Sequence, residues 1–288
     1  TRRLKYKLDY NNHTEFENNK TFLDSLTTIR NIKNAKSIKL CKDPVVNAKP
    51  LFIKDTNELT MNDIAEDKYL PNSFLSSVNQ QLYNCVSGKK FLLDDDEFPD
   101  FSKAIEYSIN TEGCWCNTTL QKKSTEFNPS NPNINETYLR ITLGNNCGES
   151  PGIPYVMEIW PPNHYSPIHK HADANAIIRV LHGSINVKLF PFLSQDLPHI
   201  KPFSETDFHK DDITWISPQL NQVHQLTNKN SENACVTIQC YTYSRKNLTH
   251  YEYFDYLNDN GNICQYEPDS DKDFVEFKKI IKEEWQNR

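Results

Sequence analysis

His169 and His171 stand two residues apart in the run Ile168-His169-Lys170-His171. On a β-strand alternate side chains share a face, so this spacing presents two imidazoles to one point in space. A proline-rich stretch, Pro161 to Pro167, leads into the pair, and Gly183 follows it at a turn between two apolar segments. Neutral imidazole is a ligand for iron, zinc, copper or nickel, so the residue type indicates a metal centre without choosing the ion. An H-x-H pair by itself is common in unrelated chains. Its weight here comes from its setting and from what the rest of the chain can bring to the same point.

The elements that must position the pair are strands. From about residue 136 the sequence alternates: Tyr138 to Leu143, Tyr155 to Trp160, Ala176 to Leu181, Ser184 to Phe190, Ile213 to Ile216, Val223 to Leu226 and Ala234 to Thr242. Short strands at close spacing with turn residues between them suggest a β-sandwich or barrel. The text before 136 is different, being polar and Asn-rich. It predicts a helix near 21–33 and two short helices over 61–92, divided at Pro71. At the other end Phe274, Phe277, Ile280, Ile281 and Trp285 recur at helical spacing, which predicts an amphipathic helix over Asp273 to Trp285. The expected organisation is thus mainly β. Residues 1–135 form a partly helical extension packed on a barrel, 136–245 the barrel, and 246–288 a C-terminal segment ending in the helix. The charge run Asp94-Asp95-Asp96-Glu97 reads as a solvated loop or a helix N-terminus. Cys114-Trp115-Cys116 reads as a structural or disulfide pair, since no second pair stands at zinc-finger spacing.

The layout around the histidines resembles the first cupin motif: H-x-H, three or four residues, Glu, six residues, Gly. Counting back from Gly183, Ala176 occupies the position of the cupin glutamate. The resemblance implies a double-stranded β-helix, or jelly-roll barrel, and a third histidine some fifty residues downstream. His224 stands there, in Val223-His224-Gln225-Leu226. The set His169, His171 and His224 then lacks an anionic ligand. A bound cation would keep its full charge for the substrate, which favours a thiolate.

Trp160 to Gly183 resembles cysteine dioxygenase, a thiol dioxygenase of the cupin superfamily. The family pattern of Trp followed by H-x-S-x-I-H-x-H is matched by Trp160, His164, Ser166, Ile168, His169 and His171. The family's Y-x-R is matched by Tyr138-Leu139-Arg140, and its tyrosine seventeen residues after the third histidine by Tyr241. The resemblance implies Fe(II) as cofactor, with O2 and a small thiol such as L-cysteine as substrates and a sulfinic acid as product. Arg140 would grip the substrate carboxylate, bidentately as guanidinium can. Tyr138, Trp160, His164 and Tyr165 would help enclose the substrate, and Tyr241 would hydrogen-bond at the open side of the metal. Three positions depart from the pattern. Ala176 replaces the cysteine that animal members cross-link to the tyrosine, so an uncross-linked, bacterial-type site is expected. The relay behind the tyrosine reads Thr237-x-Gln239-x-Tyr241, without its titratable histidine. Tyr165 and Pro167 replace small residues. Two alternatives remain alongside: a dioxygenase for another thiol carboxylate, such as 3-mercaptopropionate, and a cupin serving as a non-catalytic binding or structural module.

Composition narrows the remaining classes. The net charge of −6 lacks the basic face that nucleic acid requires, and no apolar run approaches a membrane span. Seven glycines leave no room for a glycine-rich phosphate loop, while 15 Phe and 14 Tyr supply much of the core. The eight cysteines follow no framework spacing. The chain begins with Thr, so a processed or trimmed form is expected. The expected compartment is the cytoplasm, with a secreted form after leader removal as the alternative. Oligomeric state is left open.

Overall fold

A computed structural model of the chain describes residues 52–144, 155–171, 174–195, 201–218, 220–242 and 254–288. The helix expected near 21–33 lies outside these residues. The two helices expected over 61–92 are α1 (Met61–Glu66) and α2 (Ser77–Val86). A short strand, β2 (Tyr69–Pro71), lies between them and pairs in parallel with β1 (Phe52–Lys54). Thr60 and Asp63 form a capping box that starts α1, and the Ser76 side chain caps α2.

Two further helices were not anticipated, α3 (Phe101–Asn110) and α4 (Trp115–Lys123). The buried residues of α3, Phe101, Ser102, Ala104, Ile105, Ser108 and Ile109, fall on one helical face. The Asp94–Glu97 run lies before this helix, and of its residues Asp94 holds the first turn, accepting from Ser102 N at 2.7 Å and from its hydroxyl at 2.9 Å. Cys114 and Cys116 are free thiols, not a disulfide, and the Cys116 amide donates to Ser108 Oγ at 3.0 Å.

The strands follow as β3 (Leu139–Gly144), β4 (Tyr155–Trp160), β5 (Ile168–Lys170), β6 (Asn175–His182), β7 (Ser184–Phe190), β8 (Ser204–His209) and β9 (Ile213–Ile216). Then come β10 (Val223–Thr227), β11 (Cys235–Thr242), β12 (Phe254–Leu257), β13 (Ile263–Tyr266), β14 (Lys272–Asp273) and the C-terminal helix α5 (Phe274–Gln286). They form two six-stranded sheets. One has the order β13-β12-β5-β10-β7-β8, the other β14-β3-β4-β11-β6-β9. From β3 onward the chain passes back and forth between the sheets. That alternation is the jelly-roll path, and the fold is the cupin barrel. The sheets continue past residue 245, because β12 pairs with β5 and β14 with β3.

The helices cover the outer face of the second sheet, which explains why β11 is buried along its whole length. Outward residues Val236, Ile238 and Cys240 share an apolar cluster with Leu82 of α2, Ile105 of α3 and Phe277 of α5. Phe277 and Ile281, four apart on α5, are fully buried, each contributing roughly 1.5–3 kcal/mol by leaving water. With one parity of each strand facing the helices, the other parity faces the barrel interior. Gly183, between β6 and β7, has φ +71°, and a Cβ there would fall 2.6 Å from the Ala234 carbonyl oxygen. Both the turn and the close approach require glycine. No helix among the described residues is long and apolar enough to cross a membrane.

Candidate metal centre and active site

Strand parity builds the site from two walls. On the first sheet, His169 of β5 is paired directly with His224 of β10. His171 follows just past the end of β5, two residues on and therefore on the same side. The three rings offer nitrogen atoms that all lie within 4.8 Å of one another, and all three residues are buried. His169 Nε2 and His171 Nε2 are 3.0 Å apart. Phe254 of β12 packs against this cluster, its ring 4.8 Å from that of His169.

Backbone carbonyls set the tautomers. His169 Nδ1 lies 2.9 Å from the Pro167 carbonyl oxygen, and His224 Nδ1 lies 3.3 Å from that of Asn221. A ring whose Nδ1–H donates to a carbonyl keeps its lone pair on Nε2, the usual arrangement of a metal-bound histidine. Burial pushes His169 down to about 4 and His224 well below the ordinary histidine value, so both rings are neutral near pH 7. His169 Nε2 directs a lone pair at His171 Nε2 across 3.0 Å, a contact that an Nε2–H of His171 or a shared cation can bridge. A cation held roughly 2.1 Å from each nitrogen satisfies that separation. The donor set therefore fits a divalent transition metal held by His169, His171 and His224.

The second sheet forms the facing wall. Tyr138 comes just before β3 and Arg140 from its start, Glu158 and Trp160 from β4, and Thr237, Gln239 and Tyr241 from β11. Arg140 is registered opposite Glu158, and Glu158 opposite Thr237. Tyr138, Arg140, Glu158, Trp160, Gln239 and Tyr241 line one cavity together with the three histidines. Tyr138 stacks on Trp160 at 4.3 Å, and Tyr241 stacks on His171 at 5.0 Å. The sheets thus bring the phenol of Tyr241 to the edge of the histidine cluster.

The polar groups of this wall are chained. Arg140 Nε lies 3.4 Å from Glu158 Oε1, and its Nη1 donates to the Pro268 carbonyl. Gln239 Nε2 donates to Glu158 Oε2 at 2.6 Å and to Thr237 Oγ1 at 3.0 Å. The Tyr241 hydroxyl donates to Gln239 Oε1. Trp160 Nε1 donates to Thr237 Oγ1 at 3.4 Å. Burial raises the Glu158 carboxyl, opposed by the Arg140 guanidinium beside it. Burial likewise raises Tyr241 well above the ordinary phenol value, so it is a neutral hydroxyl.

Ala176 is registered directly opposite Tyr241 across the β6–β11 ladder. A methyl group at that place packs on the phenol and offers no thiol to cross-link.

His164 and Tyr165 do not line the cavity, contrary to the sequence expectation. The loop carrying them is tied to its outer neighbours. His164 Nδ1 donates to the Thr137 carbonyl at 2.9 Å, and the His164 carbonyl accepts from Asn228 N at 2.8 Å. The Tyr165 hydroxyl accepts from Asn133 Nδ2 at 2.9 Å. Asn228, fully buried, donates to the Trp160 and Pro161 carbonyls and so pins the loop's start. These contacts shape the path into β5.

Sequence reasoning missed Glu158. Its signal was available: it is an ionisable residue in the apolar run Tyr-Val-Met-Glu-Ile-Trp, at the same parity as Trp160. An acid at an inward strand position needs a partner. Phe254 and Pro268, beyond residue 245, also reach the cavity.

Several solved structures match part of this chain. A cupin superfamily protein from Desulfitobacterium hafniense matches at 9% identity, covering 36% of this chain and 74% of its own, with TM-score 0.27. A protein from Thermus thermophilus matches at 13% identity, covering 41% and 89%, with TM-score 0.28. A cupin domain from Bordetella pertussis matches at 11% identity, covering 35% and 88%, with TM-score 0.26. Residues 135–253, the span that contains all three histidines, Arg140, Glu158 and Tyr241, match the family model of cysteine dioxygenase type I.

Proposed function

We propose that this chain is a non-haem Fe(II) thiol dioxygenase that adds both atoms of O2 to the sulfur of a small thiol such as L-cysteine. One observation carries the reading. A single cavity has three buried imidazoles on one wall and Arg140, Glu158 and Tyr241 on the other. The family match over 135–253 supports the same class of chemistry.

The reaction balances without a further reductant. Sulfur is oxidised by four electrons, O2 accepts them, and the thiol becomes a sulfinic acid. Bound iron would supply the redox chemistry and would favour the thiolate form of the substrate. The protein's own residues hold and enclose. The fixed Nδ1 contacts of His169 and His224 keep their Nε2 atoms directed inward. Arg140 places a permanent cation on the facing wall, and Tyr241 places a neutral hydroxyl oxygen beside His171. Apolar neighbours such as Ile178, Ile216 and Phe254 exclude water from the reacting groups. Positioning two reactants in this way is a large part of what such a site can contribute.

The test is oxygen uptake by iron-loaded protein with L-cysteine, cysteamine and 3-mercaptopropionate, with the sulfinic acid identified by mass. Stoichiometric uptake with at least one thiol is expected. No uptake with any thiol, or zinc that iron cannot replace, would overturn the reading and favour a non-catalytic cupin module.

A further inference from the structure

Arg140 is gripped by one short segment of the C-terminal region. Its backbone N–H donates to Asp271 Oδ2 at 2.7 Å, and its carbonyl accepts from the Asp271 N–H at 2.8 Å. Its Nη1 donates to the Pro268 carbonyl. Pro268 and Asp271 both belong to residues 267–271, the link between β13 and β14. Those strands stand at the ends of different sheets, so the link crosses from one sheet to the other beside Arg140.

Both ends of the link are tied to Lys123, the last residue of α4. Lys123 Nζ donates to the two Asp271 carboxylate oxygens at 3.1 and 3.2 Å and lies 3.2 Å from Glu126 Oε1. Glu126 Oε1 in turn accepts from the hydroxyl of Tyr266, the last residue of β13. The Lys123, Glu126 and Asp271 side chains are 10%, 18% and 12% exposed, so this is a largely buried cluster and not a solvated surface pair. The same ammonium stands 5.8 Å from the centroid of the Tyr138 ring, within cation–π range, and that ring stacks on Trp160. One cation thus meets Tyr138 directly and Arg140 through Asp271. Without its charge, two carboxylates face each other at low exposure, and the one bonded to the Arg140 backbone is pushed out of place. A misplacement of about 1 Å at a positioning group can cost about 100-fold in rate.

We propose that Lys123 and Asp271 are positioning residues for the reaction, fixing Tyr138 and Arg140 on the cavity wall from outside it. Neither lines the cavity, so both act through the residues they hold. Lys123, Pro268 and Asp271 also lie outside residues 135–253, so the groups that fix Arg140 come from the flanking parts of the chain. The proposal rests on the thiol-dioxygenase reading above and adds to it the role of α4 and of the β13–β14 link.

The experiment is oxygen-uptake kinetics of iron-loaded protein, using whichever of L-cysteine, cysteamine and 3-mercaptopropionate the unaltered protein turns over fastest. Lys123→Met keeps the aliphatic stem and removes the charge, whereas Lys123→Arg keeps the charge. Lys123→Met is expected to lower kcat/KM about tenfold or more, with iron content and circular dichroism unchanged. Lys123→Arg is expected to recover most of that loss, which a role in filling space would not produce. Asp271→Asn keeps an acceptor for the Arg140 N–H but loses the charge facing Lys123, and its kcat/KM is expected to fall as well. A Lys123→Met protein within about twofold of the unaltered kcat/KM overturns the proposal. So does a Lys123→Arg protein as impaired as Lys123→Met, or a loss of iron in parallel with activity. Should Lys123→Met not fold, Asp271→Asn decides, and normal kcat/KM in that variant overturns the proposal. Normal kinetics in the variants removes the proposal alone, whereas no uptake by the unaltered protein with any thiol removes the dioxygenase reading with it.

Discussion

His169 Nε2 and His171 Nε2 face each other across 3.0 Å in a buried site where His169 is held neutral. Without metal the contact is bridged by a hydrogen on one ring nitrogen, and a shared cation replaces that hydrogen while tying both rings to His224. Iron loading should therefore raise the melting temperature, and chelation should lower it again. Replacing His224 by Ala removes one of three donors. Loss of a hydrogen-bonding partner behind a ligand already costs about 10–100-fold in metal affinity, so loss of the ligand itself should cost at least about 100-fold. Metal analysis after dialysis against a weak chelator checks this. Retention of stoichiometric iron by the variant would contradict the three-histidine site.

The same burial makes the metal-free protein sensitive to acid. An unfolded histidine titrates near 6.5, and His169 in the folded protein is held at about 4. Between these values the unfolded chain takes up a proton that the folded one does not, so stability must fall as pH drops from about 6.5 toward 4. Above that window the contribution is constant, and below it the folded ring protonates too. The loss attributable to His169 is on the order of 2–3 kcal/mol. Urea unfolding of metal-free protein at pH 7 and pH 4.5 should show it, and His169→Gln should flatten the slope. An unchanged slope in that variant would assign the acid sensitivity to other groups.

Gly183 is a backbone requirement independent of the metal. Its φ of +71° disfavours any side chain, and a Cβ would meet the Ala234 carbonyl oxygen at 2.6 Å. Gly183→Ala should lower stability by about 2 kcal/mol or more, since a non-glycine residue in the left-handed region is already strained and the carbonyl must also move. Denaturant unfolding measures it. A loss below about 0.5 kcal/mol would mean that the β6–β7 turn relaxes freely.

The buried Arg140–Glu158 pair should behave asymmetrically. Arg140→Ala leaves a carboxylate buried without its cation, at a cost of about 3–5 kcal/mol, whereas replacing both residues with apolar ones of similar volume should cost far less. A double-mutant cycle with Arg140→Met and Glu158→Met isolates the coupling. Additive losses would show that the two charges are solvated independently.

Much of this was legible in the sequence, for reasons that strand geometry makes plain. Period-two alternation located β3, β4, β6, β7, β9, β10 and β11, and the same parity that marks a core face places Arg140, Trp160 and Tyr241 on one wall. The i, i+4 pair Phe277 and Ile281 announced α5. Other features were hidden. The inward face of α3 includes Ser102 and Ser108, which weaken its apolar signal. β8 and β13 are largely solvent-facing and lack a continuous apolar run. His164 lies in a motif shared with the metal ligands, but motif position carries no information about side-chain direction in a loop. Its ring is turned by the Thr137 carbonyl, a long-range contact that no local pattern reveals. Glu158 went unread because alternation sorts residues by face without pairing them across strands.

Tyr241 gives the sharpest separation of structure from chemistry. Its hydroxyl serves Gln239 on one side and the cavity on the other, and its ring stacks on His171. Tyr241→Phe keeps the stack and removes both polar roles. Gln239 Oε1 then loses its donor, at a cost of about 1–3 kcal/mol if no water replaces the hydroxyl. Metal content should not change, because no ligand is lost. Thiol turnover should fall at least about tenfold, since a hydrogen-bonding group aimed at the reacting centre typically contributes that much or more. Iron quantification, denaturant unfolding and oxygen uptake on the same preparation separate the three effects. Full turnover in a Tyr241→Phe protein with normal iron would restrict the phenol to orienting Gln239 and would move the search for the group that meets the substrate to Arg140 and Glu158.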